Sequence, residues 1–181
     1  MTFLSASAVL RRLGLLCAAL ALSACVSQIP VEEPLSYDSL DPARQEMALL
    51  EAKTKQSKGQ RVWCVPFART ASGVEIKGDA KTWWKSAAGS YARGDEPRVG
   101  AVMAFAATRK MSRGHVAVVS EVVSDREIRI NHANWVRNKV QMNMTVIDIS
   151  AKNDWSSVRV ERNAGEMGTG SYPVSGFIYP N

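Results

Sequence analysis

Two hydrophobic periods divide the chain. Between Asp41 and Ala88 apolar residues recur at helical spacing, and from Ala101 onward they alternate or run in short apolar blocks. Asp41-Pro42 reads as an N-cap with proline at the first helical position, opening a helix to about Lys55. Its apolar positions Ala43, Met47 and Leu50 give way to Thr54, and so weak a stripe predicts loose packing or continuation of a tether. Cys64 to Ser72, with Pro66 near its start and Gly73 after it, predicts a second helix, and Asp79 to Ala88, stopped by Gly89, a third built around Trp83 and Trp84. Beyond the turn-rich segment 90–99, strands are expected at about 101–106, 115–123, 127–131, 140–149, 158–162 and 176–179. Helices first and strands after, without crossover helices, predict an α+β domain with an antiparallel sheet.

The N-terminus has a different pattern. Arg11 and Arg12 precede an apolar run from Leu13 to Ala24, too short for a bilayer span and of signal-peptide length. Leu22-Ser23-Ala24-Cys25 resembles the lipobox of bacterial lipoproteins, which implies a signal peptide over 1–24 and acylation of Cys25; the alternative is ordinary secretory cleavage after Ala24. Residues 26–39, with Pro30, Pro34 and no hydrophobic period, read as a tether. The expected division is therefore 1–24 signal peptide, 25–58 lipidated N-terminus, tether and weak helix, and 59–181 the folded domain.

Export changes what charge and cysteine content mean. The full chain has 23 basic and 17 acidic residues, a formal charge of +6; losing Arg11 and Arg12 leaves +4 and a protein expected on the periplasmic side of the envelope. That setting argues against a nucleic-acid partner and for anionic envelope material. Of the three cysteines, Cys17 leaves with the signal and Cys25 takes the lipid, so Cys64 is the expected free thiol, with no internal disulfide.

A thiol at a helix start is a candidate nucleophile, because unpaired N–H groups there favour the thiolate. His115 follows Gly114 at the head of an apolar strand. A two-residue turn at Ser124-Asp125 pairs Val123 with Arg126 and, carried along both strands, sets Asn134 opposite His115. It also puts Ala117, Val119, Ile128 and Ile130 on the face of His115, which is where a helix is expected to pack. The expected nucleophile, base and orienting residue are Cys64, His115 and Asn134, with His132 beside Asn134 as an auxiliary. One free cysteine and two histidines without close spacing make a metal site unexpected. No cofactor is expected either.

The stretches Cys64-Val65-Pro66-Phe67-Ala68, Gly100 to Phe105, Gly114 to Val119 and His132-Ala133-Asn134-Trp135 resemble the CHAP domain, the cysteine, histidine-dependent amidohydrolases/peptidases, over about residues 60–180. The resemblance implies a papain-like fold and hydrolysis of peptidoglycan amide bonds. By position Cys64 would be the nucleophile, His115 the base and later acid, and Asn134 the orienting residue. The backbone N–H of Cys64 would serve the oxyanion hole. Many members carry Glu two residues before that Asn, where this chain has His132; Trp63 also replaces a commonly polar residue, leaving Gln60 as a candidate side-chain oxyanion donor.

Arg93, Arg98, Arg109, Lys110 and Arg113 cluster in the two loops before His115, either as a rim attracting stem-peptide carboxylates or as a solvated surface. The expected activity is a peptidoglycan amidase (sugar–peptide) or peptide endopeptidase acting through an acyl-enzyme, on a monomer held by a lipid anchor. Val26 after Cys25 hints at the outer membrane. A non-catalytic papain-like binder of peptidoglycan or of an envelope enzyme, and a transferase using the same acyl-enzyme, are the alternatives.

Overall fold

The computed structural model describes residues 39–181. The expected signal peptide, Cys25 and the tether as far as residue 38 lie outside the described residues. Three helices come first: α1 (Pro42–Ser57), α2 (Cys64–Ser72) and α3 (Ala80–Ser86). Strands follow: β1 (Arg93–Gly94), β2 (Val102–Phe105), β3 (His115–Ser124), β4 (Glu127–Ala133), β5 (Val140–Asp148), β6 (Ser157–Asn163), β7 (Glu166–Met167) and β8 (Tyr172–Ile178). The protein is thus α+β, as the periodicity predicts.

The strands run antiparallel in the order β8-β2-β3-β4-β5-β6, and β6 pairs back to β8, closing the sheet into a barrel with β1 and β7 as short additions. Closure buries the inner face, and where the helices cover the outside, at β2 and the first half of β3, both faces are buried. Val102, Ala104, Val116, Val118 and Ile178 turn outward beneath the helices. Ala101, Met103, Phe105, Ala117, Val119, Ile128, Ile130 and Phe177 turn inward. His115 shares the parity of Ala117 and Val119, so its strand face is the barrel interior. The expectation that a helix packs on that face is corrected: the helices take the Val116 and Val118 face instead.

The β3–β4 register shows how local errors can cancel. The turn is Asp125-Arg126, one residue later than expected, with Ser124 paired to Glu127. Two register shifts along the hairpin then bring Val119 opposite Ile130 and Val118 opposite Asn131, the pairing predicted for the site end of the strands.

α1 departs from its expectation. Ala48 and Ala52 are buried, whereas Met47 and Leu50, two of the predicted stripe, are exposed. Small side chains on the buried face allow close approach to α2, whose Phe67 and Ala71 join the same core. Gln45 donates to Ala71 O and accepts from the buried Asn131 amide at 3.0 Å, joining α1 to both α2 and β4. The helix is part of the folded body, so the boundary at residue 59 is corrected to include it.

Candidate active site

α2 begins at Cys64 because Trp63 is extended and Pro66 sits in the first turn, where its missing N–H costs no hydrogen bond; Gly73, left-handed at φ 77°, ends it. Cys64 is a free, half-buried thiol. Backbone N–H groups of Val116, Val65 and Cys64 itself draw its pKa down, but burial outweighs them and the nearby Asp79 carboxylate adds to the rise. The thiol is therefore held above its ordinary value, opposite to the thiolate expected from a helix start alone.

His115 is delivered by Gly114. This glycine has φ 68°, and a Cβ there would lie 2.7 Å from Lys81 N and 2.9 Å from Lys81 Cα. Lys81 N donates to Arg113 O at 2.8 Å, so the chain enters β3 pressed against the start of α3. At the barrel mouth the imidazole sits among Phe105, His132 and Trp135, with ring centroids at 5.6, 5.1 and 5.0 Å. Its Nε2 lies 3.1 Å from His132 Nδ1.

His132 is fully buried and stacks on Trp135 with rings 21° apart; its Nε2 has no hydrogen-bond partner. Burial lowers its pKa to about 3, and burial followed by the proximity of His132 holds His115 well below the ordinary histidine value. Both imidazoles are neutral near neutral pH.

Asn134 is not placed as expected. β4 ends at Ala133, and Asn134 turns left-handed at φ 66°. Its Oδ1 accepts from Arg61 Nε at 3.1 Å and from Asn138 N at 2.9 Å, and it makes no hydrogen bond to His115 among the described residues. Asn138, also left-handed, accepts from Val62 N through Oδ1 and from Gln56 through its carbonyl. The loop after His132 thus clasps the segment just before Cys64. Direct orientation of His115 by Asn134 is corrected: the imidazole next to His115 is His132, because the strand ends one residue before the predicted pairing.

Gln60 is likewise displaced. It lies in a separate surface groove with Leu50 and Lys55, not in the cavity beside Cys64. That cavity, of about 930 Å³, is lined by Cys64, His115, Asn134, Trp63, Trp135 and Tyr172 among others. Arg109, Lys110 and Arg113 from the β2–β3 loop and Asp79 at the start of α3 also line it, whereas Arg93 lines another groove. Cys64 and His115 share this cavity without a hydrogen bond between them among the described residues.

Sequence reasoning missed the aromatic enclosure of His115 by Phe105 and Trp135. Its one visible signal was the alternation that places Phe105 on the inward face of β2.

No curated protein matches the chain. Residues 55–134 match the family model of the CHAP domain, a stretch running from the end of α1 through Cys64 and His115 to Asn134. Over that stretch the chain is similar to the CHAP domain, a cysteine/histidine-dependent amidohydrolase/peptidase domain associated with cell-wall hydrolysis.

Proposed function

We propose that the protein hydrolyses an amide bond of peptidoglycan through a cysteine acyl-enzyme, as an N-acetylmuramoyl-L-alanine amidase or a peptide endopeptidase with a papain-like arrangement of helix and strand. The observation carrying this reading is that Cys64 at the head of α2 and His115 at the head of β3 line one cavity, with His115 Nε2 engaged by His132.

The hydrogen bond fixes a tautomer. For His115 Nδ1 to accept a proton, Nε2 must carry one and donate it to His132 Nδ1. From a neutral pair, Nδ1 takes the thiol proton as sulfur attacks the amide carbonyl carbon, and the oxyanion lies within reach of the Cys64 N–H at the helix start. The imidazolium then gives its proton to the amide nitrogen; the C–N bond breaks and the amine leaves. Water attacks the thioester with its proton passing to His115, the C–S bond breaks, and the acid is released as sulfur regains a proton. Arg109, Lys110 and Arg113 make the β2–β3 wall cationic, which suits carboxylates of stem peptides.

Mass spectrometry of sacculus digests tests this. The wild type is expected to release soluble fragments with a new amine and carboxyl end, and Cys64→Ala none; release undiminished in the variant would end the thiol mechanism. Binding to sacculi by a wild type that releases nothing would instead favour the non-catalytic reading.

We further place the protein on the periplasmic side of the outer membrane as a monomer held through lipid on Cys25, on the strength of the lipobox-like Leu22-Ser23-Ala24-Cys25 and of Val26. Membrane fractions should retain the wild type and lose Cys25→Ala; a variant still sedimenting with membranes would contradict the anchor.

A further inference from the structure

Among the residues lining the catalytic cavity, Asp79 supplies the carboxylate on a wall otherwise carrying Arg109, Lys110 and Arg113. An aspartate at a helix N-cap ordinarily accepts hydrogen bonds from the first-turn N–H groups. Asp79 does not, although it occupies the N-cap of α3 in the extended conformation such a residue adopts. The donors it would cap are already taken: Lys81 N–H goes to Arg113 O at 2.8 Å, and Thr82 N–H to the backbone oxygen of Asp79 at 2.9 Å. Asp41, which caps α1, is the contrast: its Oδ1 accepts from Ala43 N and Arg44 N. The Asp79 carboxylate is exposed to the cavity and solvent, and among the described residues neither it nor the three cations of the β2–β3 loop form an ion pair. The loop that presents His115 thus takes a donor that Asp79 would otherwise cap and leaves the carboxylate on the cavity lining.

Building on the hydrolase reading above, we propose that Asp79 is a specificity residue that receives a primary ammonium group of the substrate, close to the amide attacked by Cys64. With the cationic loop taking a carboxylate, the site selects a peptide carrying both charges. The Asp79 carboxylate lines the same cavity as the sulfur and adds, after burial, to the cost of forming the thiolate, a contribution that a bound substrate ammonium would cancel.

The charge preference of Cys64 alkylation tests the site without requiring turnover. Rates with cationic 2-bromoethylamine and neutral iodoacetamide are measured at one pH, each divided by its rate with a neutral free-cysteine amide. The wild-type cation-to-neutral ratio is expected to exceed that of Asp79→Asn by about fivefold, the effect of one charge pair at about 4 Å in water. Asparagine is also a good N-cap, so the variant should keep α3, and Asp79→Glu should keep the preference. Equal ratios in wild type and Asp79→Asn would overturn the assignment. Acetylation of the free amino groups of sacculi is expected to raise KM for the wild type and leave it unchanged for Asp79→Asn; an equal rise in both would count against the proposal. A shifted alkylation ratio in a protein that releases nothing from sacculi would keep the ammonium site and remove the hydrolase reading.

Discussion

His132 has an unusual position for a buried imidazole: one nitrogen is engaged by His115 and the other has no partner. Leaving a buried polar atom unsatisfied costs about 1–3 kcal/mol. In the tautomer needed for catalysis the orphan is an N–H, so the cost secures a lone pair on His115 Nδ1. His132 is neutral and cannot offset the imidazolium charge as a carboxylate would, and burial depresses the pKa of both rings. Stability should respond to acid accordingly. Each histidine binds its proton more readily in the unfolded chain, so no penalty exists above the ordinary histidine pKa of about 6.5 and one grows as pH falls toward 3, at up to about 1.4 kcal/mol per pH unit per ring. Urea unfolding across that range should show the decline. His132→Asn should flatten it, and a slope unchanged by the substitution would contradict the neutral buried pair.

α1 separates side-chain hydrophobicity from burial. Leu50 is 63% exposed whereas the polar Gln45 is half-buried and bridges Ala71 O and the Asn131 amide. Replacing Gln45 with Ala strands the buried Asn131 Nδ2 and should lower the unfolding free energy by about 1–3 kcal/mol. Leu50→Ala, on the same helix, should change it by less than about 0.5 kcal/mol. Denaturant unfolding of both variants decides the matter, and the reverse ranking would restore α1 to a loosely packed extension. The stripe of Ala43, Met47 and Leu50 was misleading because a helix packed at close range buries its small residues, which carry little hydrophobic signal. α2, by contrast, was legible to the residue, since Pro66 and Gly73 fix its ends through backbone geometry.

The site forms where the helical layer meets the mouth of the barrel. α2 brings the thiol, β3 the imidazole, the β4–β5 loop the clasp on residues 61 and 62, and the β2–β3 loop the cationic wall. The linear chain carried the separation into early helices and later strands, the helix start at Cys64, the Gly-His entry into β3, and the hairpin pairing near Val119 and Ile130. These depend on interactions of nearby residues: periodicity, proline and glycine geometry, and a short turn. Only the tertiary structure decided which sheet face meets the helices, because at β2 and the start of β3 the barrel interior buries one face and the helices the other, which removes the alternation that tells inside from outside. It also decided that His132 rather than Asn134 adjoins His115, since β4 ends where Asn134 is drawn to Arg61 and Asn138, partners distant in sequence or set by loop geometry. The state of the thiol followed the same rule: a helix start favours the anion, but burial between α2 and β3 outweighs it, and burial is a property of the assembled fold.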